Sequence, residues 1–190
     1  MNTFNVRLSQ LHAMALLGGD QDIRYYLNGV RIEFNYDNTR LVATDGHKLA
    51  LLNTKAENQG VGSLTIPSDF IKQLPKSSAK YDPTIEISQD QNTPTKWIAA
   101  VSMSDTRSFF EIEGNYPDYS RVLHGIKTSG APGLFNDEYL GQFKKAGLLL
   151  TKLSKKHFFP VIIHNGSQSA IIQLPTLLDQ FVGVIMPIRD

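Results

Sequence analysis

The chain of 190 residues contains no cysteine, which excludes disulfide bonds, a thiolate zinc site and a cysteine nucleophile. No apolar run reaches the roughly 18 residues that a membrane-spanning helix needs. The first residues lack the charged-then-apolar order of a signal peptide. The absence of cysteine also fits a reducing compartment. We therefore expect a cytoplasmic protein that does not associate with a membrane.

Sequence signatures of catalysis are missing as well. There is no Gly-x-Ser-x-Gly turn, no phosphate-binding loop and no His-Glu-x-x-His pair that would hold a metal ion. Asp, His and Ser side chains are present, but 18 carboxylates in a chain always include some neighbouring pairs. We predict a protein that is not an enzyme, with no catalytic residues, no metal site and no cofactor.

The charges are nearly balanced but unevenly distributed. Hydrophobic residues make up 41% of the chain and charged residues 19%, with a net charge of +1, as in ordinary globular proteins. Residues 126–190 hold seven basic and four acidic side chains, and five of the seven are Lys144, Lys145, Lys152, Lys155 and Lys156. Two interpretations of these lysines stay open: a solvated helix face, or a surface that contacts the phosphates of double-stranded DNA.

Residues 1–113 contain one order of elements twice: a strand, a helix and three strands. In the first copy, a helix over Gln10 to Leu17 ends at a glycine pair. A strand is expected over Ile23 to Phe34, and two more within Arg40 to Leu52. Asp45-Gly46 separates those two apolar runs, which predicts a hairpin with a two-residue type I′ loop.

The second copy follows a polar loop over residues 53–63. Leu64 to Pro67 is predicted to be a strand, and Ser68 is predicted to cap a helix that proline ends at position 75. Three strands are expected at Thr84 to Ser88, Lys96 to Met103 and Arg107 to Glu113.

The last third of the chain predicts one more helix and three more strands. Residues 125–133 have the composition of a linker, and Asn136 is a suitable N-cap. Strands are predicted at Val161 to His164, Ala170 to Leu174 and Val182 to Ile188.

Four separated motifs carry a resemblance to a known family. They are Gln21-Asp22-Ile23-Arg24-Tyr25-Tyr26-Leu27-Asn28-Gly29, Val42-Ala43-Thr44-Asp45-Gly46-His47-Lys48-Leu49-Ala50, Tyr116-Pro117-Asp118-Tyr119-Ser120-Arg121-Val122-Leu123 and Val184-Ile185-Met186-Pro187-Ile188-Arg189. In residues and order they resemble the bacterial replicative sliding clamp, the beta subunit of DNA polymerase III.

The resemblance implies an α+β DNA clamp fold, built from pseudo-symmetric strand-helix-three-strand units with antiparallel sheets. Residues 1–124 resemble the clamp's middle domain, residues 125–133 are the linker, and residues 134–190 resemble the second half of its C-terminal domain. The chain contains no counterpart of the clamp's first domain, so the resemblance is to a shortened clamp.

The resemblance also implies a pocket for peptides of the form Gln-Leu-x-Leu-Phe, as carried by polymerases, the clamp loader and repair factors. Its lining corresponds to Leu27, Thr44, Gly46, His47, Lys48, Leu49, Pro117, Arg121, Val122, Val184, Ile185, Met186, Pro187, Ile188 and Arg189. Lys48 stands where the family has Arg, while Ile185 and Ile188 stand where it has Val and Met. Without the resemblance, Leu27, Val122, Val184 and Ile185 read as core residues and His47 as a solvated turn residue.

Two functions from different classes follow. The first is a non-catalytic, clamp-like protein of DNA replication and repair that binds such peptides. The alternative is an oligomeric processivity ring that encircles DNA and is assembled from short subunits, with the lysine-rich helix facing the duplex. The position of the last strand relative to the Asp45-Gly46 hairpin decides whether the pocket forms within one chain.

Overall fold

The computed structural model describes residues 2–78, 80–124, 133–151, 160–164, 168–177 and 179–188. The first unit contains β1 (Thr3–Arg7), α1 (Leu8–Ala15), β2 (Gly29–Asn35), β3 (Asn38–Thr44) and β4 (Lys48–Lys55). The second unit contains β5 (Gly62–Pro67), α2 (Ser68–Gln73), β6 (Thr84–Gln89), β7 (Lys96–Ala100) and β8 (Thr106–Phe110). The remaining elements are α3 (Ser120–His124), α4 (Asp137–Thr151), β9 (Val161–Ile163), β10 (Ala170–Gln173) and β11 (Phe181–Ile185).

The two units exchange their leading strands. β1 joins the sheet of the second unit, in the order β1-β6-β7-β8, and β5 joins the sheet of the first, beside β2. Every pairing is antiparallel. The predicted internal repeat is therefore confirmed, and its halves are interlocked because each completes the other's sheet.

The last three strands extend the sheet of the first unit to seven strands, in the order β5-β2-β3-β4-β11-β10-β9. β11 pairs with β4, so that Val184 lies opposite Leu49 and Ile185 opposite Lys48. This confirms that the last strand lies next to the hairpin, although its predicted range extended further, to Ile188. The pocket elements therefore meet within one chain.

The main core lies between the helices and the inner faces of both sheets. Phe4 stacks on Phe34 with ring centroids 5.0 Å apart, and both rings are buried. On α4, Phe143, Ala146 and Gly147 are buried, and this helix packs along α1. Phe143 meets the ring of Phe181 on β11 edge to face, at 6.3 Å. The helix thus holds the last three strands against the rest of the molecule.

The predicted strand from Ile23 to Phe34 is wrong in its first half. A 3-10 helix occupies Tyr25–Leu27, and β2 begins only at Gly29. The Asn28 amide group causes the change: its oxygen accepts a hydrogen bond from the Asp22 backbone N–H (2.8 Å), while its nitrogen donates to the Asp22 carbonyl oxygen (2.8 Å). These bonds close a loop where the apolar pattern suggested extended chain.

Two helix starts also differ from prediction. α1 begins at Leu8, directly after β1, because the Gln10 side chain accepts the Arg7 backbone N–H at 2.9 Å. Ser68 lies inside α2 rather than capping it, and Pro67 holds the cap position without a side-chain bond. Of the predicted linker, all but position 133 lies outside the described residues.

Candidate functional site

The β3–β4 hairpin turn forms one wall of the site. Asp45 pairs with Lys48 across the turn (backbone N to O, 3.4 Å), so the two loop residues are Gly46 and His47. Gly46 has φ +87°, and among described non-glycine residues only Gln21 has a positive φ. A two-residue hairpin loop is confirmed, but its residues are not the predicted Asp45 and Gly46. The predicted type I′ turn is also wrong, because that type needs positive φ at both loop positions. The turn therefore resembles type II′, with Gly46 first.

The Asp45 carboxylate fixes this turn. Its Oδ1 accepts the backbone N–H groups of His47 and Lys48, both at 2.9 Å. Its Oδ2 accepts a hydrogen bond from the Lys48 ammonium group, whose side chain is almost fully buried. The ammonium also lies 4.9 Å from the centre of the Tyr139 ring on α4. Since cations are attracted to ring faces, Lys48 connects the hairpin to α4.

The segment after β11 runs along the hairpin turn. The Met186 backbone N–H donates to the His47 carbonyl oxygen at 2.9 Å, and that of Ile188 donates to the Leu134 carbonyl oxygen at 2.9 Å. The Ser169 hydroxyl group lies 2.9 Å from the Met186 sulfur. Met186 therefore stands between two anchored stretches, with its side chain partly exposed.

Residues 116–122 form the opposite wall. The Tyr116 hydroxyl group donates to the Val42 carbonyl oxygen at 3.3 Å, and that of Tyr119 donates to Glu33 Oε2 at 2.7 Å. Both rings pack on a small apolar cluster of the outer sheet face: Val42, Leu49, Leu51 and Val184. This anchoring leaves Val122 on α3 exposed beside the cluster.

Two clefts adjoin at the hairpin turn, and only the first lies between these two walls. The first cleft has a volume of about 230 Å³ and is lined by Arg24, Tyr26, Leu27, Thr44, Gly46, His47, Lys48, Leu49, Pro117, Asp118, Tyr119, Val122, Val184 and Met186. The second cleft has a volume of about 400 Å³ and is lined by Gly46, His47, Asn136, Tyr139, Met186, Pro187 and Ile188. Gly46, His47 and Met186 separate the two clefts and line both. A larger hollow of about 850 Å³ lies elsewhere, beside the start of α1.

Ten of the fifteen predicted pocket residues line the first cleft, and Pro187 and Ile188 line the second. Ile185 does not line either cleft, because alternate residues of a strand face opposite sides and Ile185 is buried in the main core. Arg121 also lies outside both linings: its exposed guanidinium group pairs with Asp118 at 3.2 Å. Arg189 lies outside the described residues.

Six residues that line the clefts were not predicted from the sequence. Arg24, Tyr26, Asp118 and Tyr119 lie within the motifs of the resemblance, next to residues that were chosen. Tyr139 lies on α4 and Asn136 directly precedes that helix, where the pattern gave Asn136 only a capping role. That role is confirmed, since its Oδ1 accepts the Glu138 backbone N–H at 2.9 Å. Tyr139 reaches the site through its contact with the buried Lys48 ammonium group. No pattern in the sequence indicated that contact.

Charge contacts hold the loop before the 3-10 helix against the turn. The Arg24 guanidinium group contacts Asp22 Oδ2 at 2.6 Å and donates to the Asp45 carbonyl oxygen at 2.8 Å. Hydrogen bonding from Arg24 lowers the pKa of Asp22 to about 2. A Cβ atom on Gly46 would lie 2.5 Å from Arg24 Nη1. Glycine is favoured here mainly for its φ, because the flexible end of the arginine can shift to admit a Cβ atom.

Burial raises the pKa of the Tyr116 hydroxyl group far above its usual range. The hydrogen bond from Ser120 lowers the pKa of Asp118. Near neutral pH, Tyr116 therefore stays neutral where it packs on the apolar cluster, while Asp118 stays charged in the lining of the first cleft.

The predicted DNA-contacting lysines are only partly described. Lys145 is exposed on α4 and Lys144 is half-buried, whereas Lys152, Lys155 and Lys156 lie outside the described residues. Contact with double-stranded DNA therefore stays a prediction. Within the described ranges, no group of three His, Asp or Glu side chains is placed to hold a metal ion. No described helix is long and apolar enough to cross a membrane.

Residues 7–118 match the family model of the DNA polymerase III beta subunit, central domain. This match covers more than half of the chain. The chain belongs to the DNA polymerase III beta subunit family.

Curated relatives in this family are beta sliding clamps. That of Pseudomonas aeruginosa is 35% identical over 105 residues, which is 54% of this chain and 28% of the relative. That of Haemophilus influenzae is 32% identical over 132 residues, which is 68% of this chain and 34% of the relative. The matched region thus spans only about a third of these sliding clamps.

Solved sliding clamps share the fold over the whole chain. The Pseudomonas aeruginosa clamp superposes with a TM-score of 0.68 at 20% identity, covering 100% of this chain and 67% of that one. The Thermotoga maritima beta subunit gives 0.69 at 18% identity, with 100% and 66% covered. A Bartonella birtlesii sliding clamp bound to griselimycin gives 0.69 at 19% identity, with 100% and 66% covered. The predicted α+β DNA clamp fold is confirmed.

Proposed function

We propose that this protein is a non-catalytic, clamp-like factor of DNA replication and repair. It binds short, extended peptides of the Gln-Leu-x-Leu-Phe type, carried by polymerases and related factors. The observation that carries the proposal is the pairing of β11 with β4, which brings Met186 against the His47 turn. Residues 134–190 then act as half a clamp domain, whose contribution is to complete the binding site.

The first cleft suits the apolar anchors of such a peptide. Its base is formed by Leu27, Leu49 and Val184. These side chains are already buried, so peptide binding loses no conformational entropy by ordering them. Met186 and Val122 border it, and methionine repacks readily around different side chains. Full burial of a Leu or Phe anchor contributes roughly 1.5–3 kcal/mol. Two anchors, less the cost of ordering a flexible tail, indicate an affinity that is roughly micromolar.

The second cleft suits the polar start of the peptide. Its lining includes the His47 and Tyr139 rings, which lie nearly parallel with centroids 6.3 Å apart. Both rings present a polar atom and an apolar face, so they can contact a glutamine side chain along its length. A peptide that begins in the second cleft and ends in the first must cross Met186, which lines both.

The test is a titration of the protein into a fluorescent Gln-Leu-x-Leu-Phe peptide, followed by anisotropy. We expect saturable binding, weakened about tenfold by Met186→Ala, because truncation removes apolar area on the order of 1.4 kcal/mol. The matched control is Met103→Ala, since Met103 is fully exposed on the β7–β8 turn, away from both clefts. No saturation at high micromolar protein would overturn the proposal, as would equal effects of the two substitutions.

A further inference from the structure

The two sheets have four edge strands in the described part of the chain, and two of these edges are covered. On β1, Thr3 exchanges two backbone hydrogen bonds with Gln59, both at 2.8 Å. On β5, the Thr65 carbonyl oxygen accepts the Ile112 backbone N–H at 2.9 Å. Because unpaired strand edges attract other strands, such coverage protects these two.

The other two edges, β8 and β9, are open in different ways. β9 has only three residues and follows Pro160, and short strands and prolines limit pairing. β8 has five residues and no proline, and within the described residues its backbone pairs with β7 alone. Its Phe110 is 62% exposed. β8 is therefore the less protected edge.

The chain itself contains a precedent for how such an edge is paired. At the β4–β11 junction, the three-strand sets β2-β3-β4 and β9-β10-β11 meet. Their third strands, β4 and β11, pair antiparallel, so that one sheet continues through both sets. β8 is also the third strand of its set, β6-β7-β8, and among the strands that the structure describes it has no corresponding neighbour. By analogy, β8 would pair with the third strand of another set whose edge is also open. A second copy of this chain supplies such a strand, namely its own β8.

We propose that β8 pairs antiparallel with β8 of a second copy, about a two-fold axis at Ser108. In this register Thr106 lies opposite Phe110 of the partner subunit, a β-branched and aromatic pair of the kind that stabilises sheets. Arg107, the only charged residue of β8, lies opposite the partner's Phe109. Within β8 itself no like charges face each other, since Arg107 is its only charged residue and its guanidinium group is already paired with Asp105 at 2.8 Å.

Association through β8 stops at the dimer, because a two-fold interface uses the same surface of both copies. It joins two four-stranded sheets into one of eight and leaves both clefts free, because no residue of β8 lines either of them. This self-association is independent of peptide binding.

The first test is the mass in solution, by analytical ultracentrifugation at several protein concentrations. The wild-type chain of 21.2 kDa should sediment as a dimer. Phe110→Lys should weaken dimerisation at least tenfold, because it places a charge at the edge of each strand. Tyr36→Lys is the matched control, since Tyr36 is 63% exposed on the β2–β3 turn, and it should remain dimeric.

The second test does not depend on the folding of the Phe110 variant. Because the chain contains no cysteine, Ser108→Cys introduces a single thiol at the proposed axis. Opposed residues in antiparallel pairs have Cα atoms about 4.5–5.5 Å apart, within the range of a disulfide. Mild oxidation should give a covalent dimer, whereas Tyr36→Cys should not. A wild-type monomer at high micromolar concentration would overturn the proposal, as would a dimer abolished by Ile162→Lys on β9 but not by Phe110→Lys.

Discussion

Residues 2–124 and residues 133–188 contain the same set of three antiparallel strands, but they complete it differently. In the first region a leading strand covers the first strand of each set, and Ile85 and Ile87 on β6 are fully buried. In the second region the corresponding strand is β9, where Val161 is 45% and Ile162 is 37% exposed. The second region is therefore stabilised mainly from its other side, through β11 and α4.

The stability of the proposed binding site depends on the second region. Both clefts lie at the β4–β11 junction, so their shape depends on how firmly residues 133–188 dock. The first region supplies most of the lining of the first cleft, and the second region supplies most of the lining of the second. Changes in the docking core of the second region should therefore weaken peptide binding, even where they touch no lining residue.

The largest expected effect is that of Phe143→Ala. Phe143, on α4, is fully buried against Phe181 of β11. Truncating a buried phenylalanine costs about 3–5 kcal/mol of folding free energy. We expect the amide groups of β9–β11 to lose hydrogen-exchange protection while those of β6 and β7 keep theirs. Peptide affinity should fall in parallel, as measured by anisotropy.

The control for this variant is Phe4→Ala, which removes an equally buried ring in the first region. It should lower protection in β1 and β6. Equal loss of protection in both regions from Phe143→Ala alone would show that they unfold as one unit. That result would contradict the difference in stability between the two regions.

A smaller effect is expected from Gly183→Ala on β11. The added Cβ atom would lie 2.5 Å from Phe143 Cε1 and 3.0 Å from Ile172 Cβ, and overpacking of this kind costs about 1–3 kcal/mol. Thermal unfolding should show a lower midpoint. Gly141→Ala is the control on α4, because its Cβ atom would meet nothing within 4 Å. Alanine there should stabilise the helix by about 0.5–1 kcal/mol, so a loss of stability would contradict the packing described.

The smallest effect concerns the charge contacts of the first region. The pKa of Asp22 is lowered from 3.8 to about 2 by its hydrogen bond with Arg24. Because the folded-state pKa is the lower one, the stabilisation is present above pH 3.8 and is lost as the pH falls through about 2. An NMR titration of the Asp22 carboxyl group should give a midpoint near 2. Arg24→Gln should return it towards 3.8, and an unchanged midpoint in that variant would remove Arg24 as the cause.

Much of the fold follows from patterns that are local in sequence. The alternating strands, the Asp45-Gly46 hairpin and the repeated order of elements all depend on neighbouring residues. The 3-10 helix before β2 was missed because its cause is one side chain, Asn28, bonding back to Asp22. Type I′ geometry was assigned to the turn because the motif could not show that the loop residues are Gly46 and His47.

The site divides in the same manner. Residues within the motifs were predicted to line the pocket through the resemblance, and most of them line the clefts. Ile185 was placed in the pocket because the motif does not show which face of β11 points to the core. Tyr139 was missed because its contact with Lys48 joins residues 91 positions apart. Such long-range contacts follow from packing, which local patterns do not encode.

The most direct test of the central claim is a methyl NMR titration with a Gln-Leu-x-Leu-Phe peptide. We expect saturable shifts in the methyl signals of Leu49, Val122, Val184 and Met186, which line the first cleft. The chemical shifts of the Val30 and Ile32 methyl groups, which are buried in the core beneath the same sheet, should not change. Shifts confined to other surfaces, or no shifts at saturating peptide, would contradict the claim that the β4–β11 junction forms a peptide-binding site.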